Sequence, residues 1–308
     1  ILKSLVAAFY NGKVVPDVVN MSLGSKEGSS RGVISLFIND LSAKFGTTFF
    51  ISASNSGPGF RTLNHLGNAG PVVMVGAGVS RKTYQEQYNF PENGEMNDET
   101  LLFFSSLGPS YTGEMKPNII APGAAISAVP TSGGYLGQMN GTSMSSPLAA
   151  GAFAAVIGNI KKKSAADFAI IEETRKLNMT GVNTPTQSLL PYSYAMRDAL
   201  QNSALELDHL TTAQQGYGLM QVDGAEKLLI QYLKELNDET RDYFEVVLND
   251  YKPAYSRELS QEKLVKFKLT PGLDGERSKL SLARILAGEL VIKLAKVCLL
   301  YTSPSPRD

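Results

Sequence analysis

Residues 17–53 read DVVNMSLGSKEGSSRGVISLFINDLSAKFGTTFFISA, and their pattern decides the fold. Two valines and Met21 make a short apolar run over 17–23, closed by Gly24, which predicts a buried strand. After a polar loop, Val33, Ile34, Phe37, Ile38, Leu41 and Phe45 recur at steps of three and four, the spacing of one helix face. Gly46 stands where a left-handed C-cap is expected. The run over 47–53 then predicts a second strand. A strand, a helix and a strand in so short a span form a right-handed crossover unit, so the two strands are parallel and their carboxyl ends share one edge. Open α/β sheets bind their ligands along that edge. The residues delivered there are Ser22, Leu23 and Gly24 from the first strand, and Ser54, Asn55, Ser56 and Gly57 from the second.

Working outward, further strands are expected over 72–77, 101–105, 118–121 and 125–129, with the polar stretch 80–100 as a surface excursion. From Ser145 the run SSPLAAGAFAAVIGNI predicts a helix buried on nearly every side, with Pro147 tolerated in its first turn. Lys161, Lys162 and Lys163 suit a solvated helix end near the negative pole of the dipole. Helices over 192–205 and 223–236 flank a glycine turn at 216–218. Beyond Asn237, alternating stretches at 243–248 and 264–269 predict strands. The expected class is therefore α/β with a mostly parallel sheet. Residues 1–237 form one domain, 238–297 the start of a β-rich module, and 298–308 (CLLYTSPSPRD) a tail that reads as disordered or as translated adaptor.

Composition narrows the function. The chain has 308 residues, 43% of them hydrophobic, and 29 basic residues cancel 29 acidic ones. No excess charge pulls it onto nucleic acid or an anionic membrane. No apolar run reaches the roughly 20 residues of a membrane span. A single cysteine, Cys298, forms no internal disulfide and leaves the redox compartment open. Three quarters of the glycines but under a third of the charged side chains fall in residues 1–160, which places the chemistry there, where backbone must approach backbone closely.

Residues 140–147, NGTSMSSP, set Ser143 directly before the buried helix, with Gly141 allowing a tight backbone path. A serine hydroxyl needs a base to become a nucleophile, and the positive end of a helix dipole favours negative charge developing beside it. In isolation Ser143 would sooner be read as an N-cap than as a nucleophile. Acyl transfer also needs donors aimed at an oxyanion, and Asn55 in ISASNSGPG puts a side-chain amide at the crevice edge, with the Ser143 N–H as second donor. Taken alone, Asn55 would read as a turn residue.

VVNMSLG, ISASNSGPG, FSSLGPS, IIAPG and NGTSMSSP occur in the order seen in subtilisin-like serine peptidases, which the chain resembles over about residues 14–236. The resemblance implies a three-layer fold, Ser143 as nucleophile and Asn55 as the oxyanion-hole asparagine. It makes Ser22, Leu23 and Gly24 the extended segment that pairs with substrate backbone, a strand addition. Ser54 and Gly141 complete the substrate-facing set. Within the family, the chain resembles both the tripeptidyl-peptidase-II-like branch and large secreted microbial members, which leans localisation toward secretion. The tripeptidyl branch carries a glutamate directly after the SxG segment to receive a free amine. Ser25 stands there and Glu27 is out of register, so an endopeptidase acting on peptide or protein substrates is expected, with no cofactor or metal.

A serine peptidase of this kind needs Asp, His and Ser in that order. The family's Asp strand end and His-Gly-Thr helix start are absent, and with Ile1 first the expectation is that they lie upstream. The chain alone is then expected to lack peptidase activity. Asp40, His65 and Ser143 fall in the order a substitute triad would need, but Asp40 lies on the exposed side of the predicted helix and the family's histidine precedes the SLG segment, so His65 reads as a loop residue. His209 follows the nucleophile and is a poorer candidate. Of three Asn-x-Ser/Thr triplets, at Asn20, Asn140 and Asn178, only Asn178 lies outside the strand and the active-site loop as a possible glycan acceptor.

Overall fold

The computed structural model describes residues 1–10, 15–24, 32–68, 70–88, 91, 96–110, 113–128, 136–179, 188–237, 244–248 and 267–271. The crossover unit is present as read: β1 (Val18–Met21), α2 (Val33–Phe45) and β2 (Thr48–Ser52) follow α1 (Leu2–Tyr10). Gly46 closes α2 at φ 62°, its N–H donating to the Ser42 carbonyl. That left-handed conformation is one that glycine adopts without steric cost. β1 and β2 are parallel, Val18 against Thr48 through Met21 against Ile51.

The sheet continues through β3 (Val73–Ser80), parallel to β2. On β3 lie β5 (Ile119–Pro122), parallel, and the short β4 (Glu99–Leu101), antiparallel. β4 ends where the sequence predicted a strand to begin, because 102–105 turn away to hydrogen-bond the loop after β2. β6 (Ala124–Ala128) forms an antiparallel pair with β7 (Leu136–Asn140), which the sequence reading missed. The excursion 80–100 holds α3 (Arg81–Tyr88), which buries no residue.

Alternation along β2 separates the layers. Phe49 and Ile51 join Phe9, Ile38, Leu41 and Phe45 of α1 and α2 on one face. Phe50 turns to the other face, against Phe153 of α4 (Thr142–Lys163), with ring centroids 5.8 Å apart. Each such fully buried side chain stabilises the fold by about 1.5–3 kcal/mol. α5 (Ala169–Met179), α6 (Leu190–Ser203) and α8 (Val222–Asn237) share the second core. The short α7 (Thr212–Gln215) opens with a capping box between Thr211 and Gln214. Helices, sheet and helices make the expected three layers.

α4 departs from expectation twice. It starts at Thr142, so Ser143 lies inside the first turn and Pro147 in the second. It is also not buried all round: Ala149, Phe153, Val156, Ile157 and Ile160 face the core, whereas Leu148, Gly151, Ala154, Ala155 and Gly158 are exposed. Length and apolar character alone would let α4 cross a membrane, but that apolar face packs on the sheet. β8 (Phe244–Leu248) and β9 (Phe267–Pro271) form an antiparallel pair near the two predicted stretches, the second displaced by three residues at its start. The rest of 238–297, the tail 298–308, Ser25 and Glu27 lie outside the described residues.

Lys116 is a buried amine that the sequence did not single out. Its Nζ donates to the Val72 carbonyl at 3.1 Å and to Asn118 Oδ1 at 2.9 Å, the same oxygen that accepts the Met74 N–H. Two donated bonds are all that a neutral amine offers. Burial pushes its pKa down to about 7, with Glu114 opposing and Arg197 assisting. The unfolded chain keeps the proton to near pH 10.5, so between those values it binds more protons than the native state, and stability must rise with pH. Urea unfolding at pH 7, 8.5 and 10 should show the wild type gaining on Lys116→Met across this window. A difference independent of pH would show that the buried amine does not titrate there.

Candidate active site

The carboxyl ends of β1 and β2 and the amino end of α4 meet at one place. Asn55 Oδ1 accepts the Thr142 N–H and the Thr142 hydroxyl, each at 2.9 Å. A backbone N–H only donates, so the oxygen of this amide must face Thr142 and the NH₂ must face away. A Cβ placed on Gly141 would stand 3.2 Å from Asn55 Nδ2 and 3.6 Å from the Ser143 nitrogen. The two expected oxyanion donors thus border one small space, left open by the absent side chain at Gly141. Gly141 is extended, at φ 160° and ψ 166°, so glycine is needed here for room.

Ser143 is half-buried, and its hydroxyl has no hydrogen-bond partner among the described residues. It is not the N-cap, a position held by Gly141. Ser54 anchors the opposite wall through its N–H on Thr142 Oγ1 at 3.2 Å, and it holds φ at 93°. Its Oγ lies 3.4 Å from Ser56 Oγ.

The edge formed by Ser22, Leu23 and Gly24 is accessible, with Leu23 and Gly24 exposed. β1 pairs with β2 and is the last strand on its side of the described sheet. Asn64, which sequence reasoning passed over, fixes this edge: its Nδ2 donates to the Leu23 carbonyl at 2.8 Å and to the Ser52 carbonyl at 3.1 Å, tying the ends of β1 and β2 together. Between the two strand ends opens a cavity of about 460 Å³, lined by Gly24, Ser54, Ser56, Thr62, Leu63 and His65, with Arg61 and Asn64.

The substitute triad is not assembled. Asp40 pairs with Lys44 one turn along α2, at 3.0 Å, and the Ser143 hydroxyl contacts no histidine among the described residues. His65 sits in the 3₁₀ turn His65–Asn68 and lines the cavity. His209 lies in the turn before α7. Asn178 spends its side-chain N–H on the Lys44 carbonyl at 2.5 Å, so the atom that would carry a glycan is engaged.

The sequence model of the subtilase family matches residues 4–218, which is most of the chain. The chain belongs to the subtilase family. Among curated relatives of this subtilase, pyrolysin from Pyrococcus furiosus is 35% identical over 158 residues, which is 47% of this chain and 11% of pyrolysin. Tripeptidyl-peptidase 2 from Arabidopsis thaliana is 31% identical over 249 residues, 76% of this chain and 15% of the relative. The subtilase therefore spans only a small part of the length of the curated relatives it matches. In fold it resembles the crystal structure of tripeptidyl peptidase 2, with a TM-score of 0.53 and 23% identity, covering 82% of this chain and 16% of that one. Family and fold therefore agree on a subtilisin-like domain.

Proposed function

We propose that residues 1–237 belong to the catalytic domain of a serine endopeptidase. Ser143 attacks the peptide carbonyl, and Asn55 Nδ2 with the Ser143 N–H stabilises the tetrahedral oxyanion. The acyl-enzyme on Ser143 is then hydrolysed. Extended substrate pairs with the backbone of Ser22, Leu23 and Gly24, and a side chain enters the cavity beside Gly24 and Ser54. The observation that carries this reading is the fixed amide of Asn55: held by its oxygen, it can only present N–H groups to the space it shares with the Ser143 nitrogen. A donor so placed contributes about 10²–10³ in kcat, a magnitude established for the corresponding asparagine of a subtilisin. The mechanism also requires a histidine base at Ser143 Oγ and a carboxylate orienting it.

Internal cleavage is favoured over tripeptide removal because Ser25 replaces the amine-binding glutamate of the tripeptidyl branch. The relatives named tripeptidyl-peptidase 2 favour the opposite. A decapeptide acetylated at its amino end, incubated with the full-length protein that carries this domain, separates the two. Cleavage of the blocked peptide at an internal bond is expected. Cleavage only of the free-amine version, three residues at a time, would establish the exopeptidase. Binding of both peptides without cleavage of either would make the domain a peptide-binding scaffold.

A further inference from the structure

Pro147 has no N–H, so the carbonyl four residues earlier loses its helical donor, and that carbonyl belongs to Ser143. The structure supplies a replacement from another element: Ser22 Oγ donates to the Ser143 carbonyl at 3.0 Å. Ser22 Oγ in turn accepts Asn20 Nδ2 at 3.0 Å, and Asn20 Oδ1 accepts the Ser146 hydroxyl at 2.7 Å. A hydroxyl has one proton to give. With the Ser22 proton on the Ser143 carbonyl, its lone pair is left for the Asn20 amide, so Ser146, Asn20, Ser22 and Ser143 form a chain of donors running one way. Such a chain polarises cooperatively.

The preceding peptide is held too, the Thr142 carbonyl accepting Ser145 Oγ at 3.1 Å. Both peptide planes that flank the Ser143 Cα are thus fixed by serine hydroxyls, one local and one from β1. Together they set φ and ψ of Ser143, and from that Cα the hydroxyl branches.

We propose that Asn20 and Ser22 are positioning residues for Ser143, acting through its carbonyl oxygen. The inference rests on Ser143 being the nucleophile. It gives the side chain of Ser22 a role separate from the backbone pairing of the same residue with substrate, and it gives Asn20, otherwise only part of a glycosylation triplet, a role in aiming the nucleophile. A misplacement on the order of 1 Å costs about 10²-fold in rate, so loss of the relay should lower kcat by about tenfold or more and leave KM within about twofold.

The relay can be read without turnover. Ser143–Met144 is the single Ser-Met step in the sequence, so carbonyl-¹³C serine with ¹⁵N methionine gives one carbonyl–amide NMR cross-peak from the 308-residue chain. Ser22→Ala should move the Ser143 carbonyl resonance upfield, and Ser22→Thr, which keeps a hydroxyl, should restore it. Asn20→Asp keeps the acceptor for Ser146 but loses the donor to Ser22, and should shift the peak in the same direction by less. In the full-length protein, Ser22→Ala should lower kcat and leave KM, and Ser22→Thr should recover kcat.

An unmoved resonance in Ser22→Ala overturns the relay. A moved resonance with unchanged kcat overturns its positioning role. A wild-type full-length protein without turnover overturns the endopeptidase reading and the kinetic half of this proposal, whereas the NMR shift decides the hydrogen bond independently.

Discussion

Ser143→Ala in the full-length protein should lose about 10⁴–10⁶ in kcat, the range for a triad peptidase deprived of its nucleophile. The remaining rate would come from the oxyanion donors and from binding, neither of which needs the hydroxyl. The same substitution should leave stability within about 0.5 kcal/mol of wild type. That second expectation comes from the structure: Ser143 Oγ makes no hydrogen bond among the described residues, and the neighbouring contacts of the Ser143 carbonyl and the Thr142 carbonyl come from other side chains. A group that contributes nothing to stability and is held on both sides is what a nucleophile requires. Turnover of a chromogenic peptide amide and urea unfolding of the same preparation test both halves. Residual kcat above about 1% of wild type would remove Ser143 from the mechanism. A large loss of stability would instead make the hydroxyl structural.

The crossover unit was legible because its signals are local. β2 is apolar on both faces, so its run reads as a strand whatever packs on it, and the α2 stripe ends at a glycine whose left-handed φ is a property of that residue. β7 was not legible: LGQMN has little apolar character, and its strand conformation comes from pairing with β6. The start of α4 was misplaced because proline reads as a first-turn residue, whereas here Ser22 supplies the missing donor and lets the helix begin before it. Among site residues, Ser143 and Asn55 could be named from the resemblance, and their order along the chain suggested where they meet. The side chains that hold them could not. Asn20, Asn64 and Thr142 are ordinary residues in sequence, and their parts depend on contacts 126, 41 and 87 positions away. Asp40 and His65 show the converse: chain order alone would pair them, but the exposed helix face read for Asp40 speaks against it, and the Asp40–Lys44 bridge agrees.

Arg175→Met should destabilise the domain by about 1–3 kcal/mol, the cost of taking a charged donor from the Phe45 carbonyl and one of two cations from the part-exposed Asp17. The Arg175 side chain is 5% exposed. Its Nε donates to the Phe45 carbonyl at 2.5 Å, and its Nη1 lies 2.6 Å from Asp17 Oδ1 and 3.3 Å from Glu172 Oε1. Lys161 on α4 reaches both Asp17 oxygens at 2.9 Å and Glu172 at 2.6 Å. Through this cluster α5 ties the last turn of α2 and the residue directly before β1 to the far end of α4. β1 leads into the edge proposed to pair with substrate, so the cluster anchors that strand at the end opposite the candidate site.

Methionine fills much of the arginine volume but leaves Asp17 with Lys161 alone and the Phe45 carbonyl without its donor. Burial by itself would raise the Asp17 pKa, but hydrogen bonds and charge from Arg175 and Lys161 outweigh it and hold the carboxyl below its ordinary value of 3.8. A depressed carboxylate contributes stability above its unfolded pKa and loses it as pH falls through the folded value. In Arg175→Met the folded value moves back up, so acid unfolding should begin at higher pH than in wild type. Urea unfolding at neutral pH gives the first quantity, and an acid titration followed by circular dichroism gives the second. A loss under about 1 kcal/mol with an unmoved acid midpoint would mean that Lys161 holds Asp17 unaided and that the guanidinium is not what fixes β1 to α5.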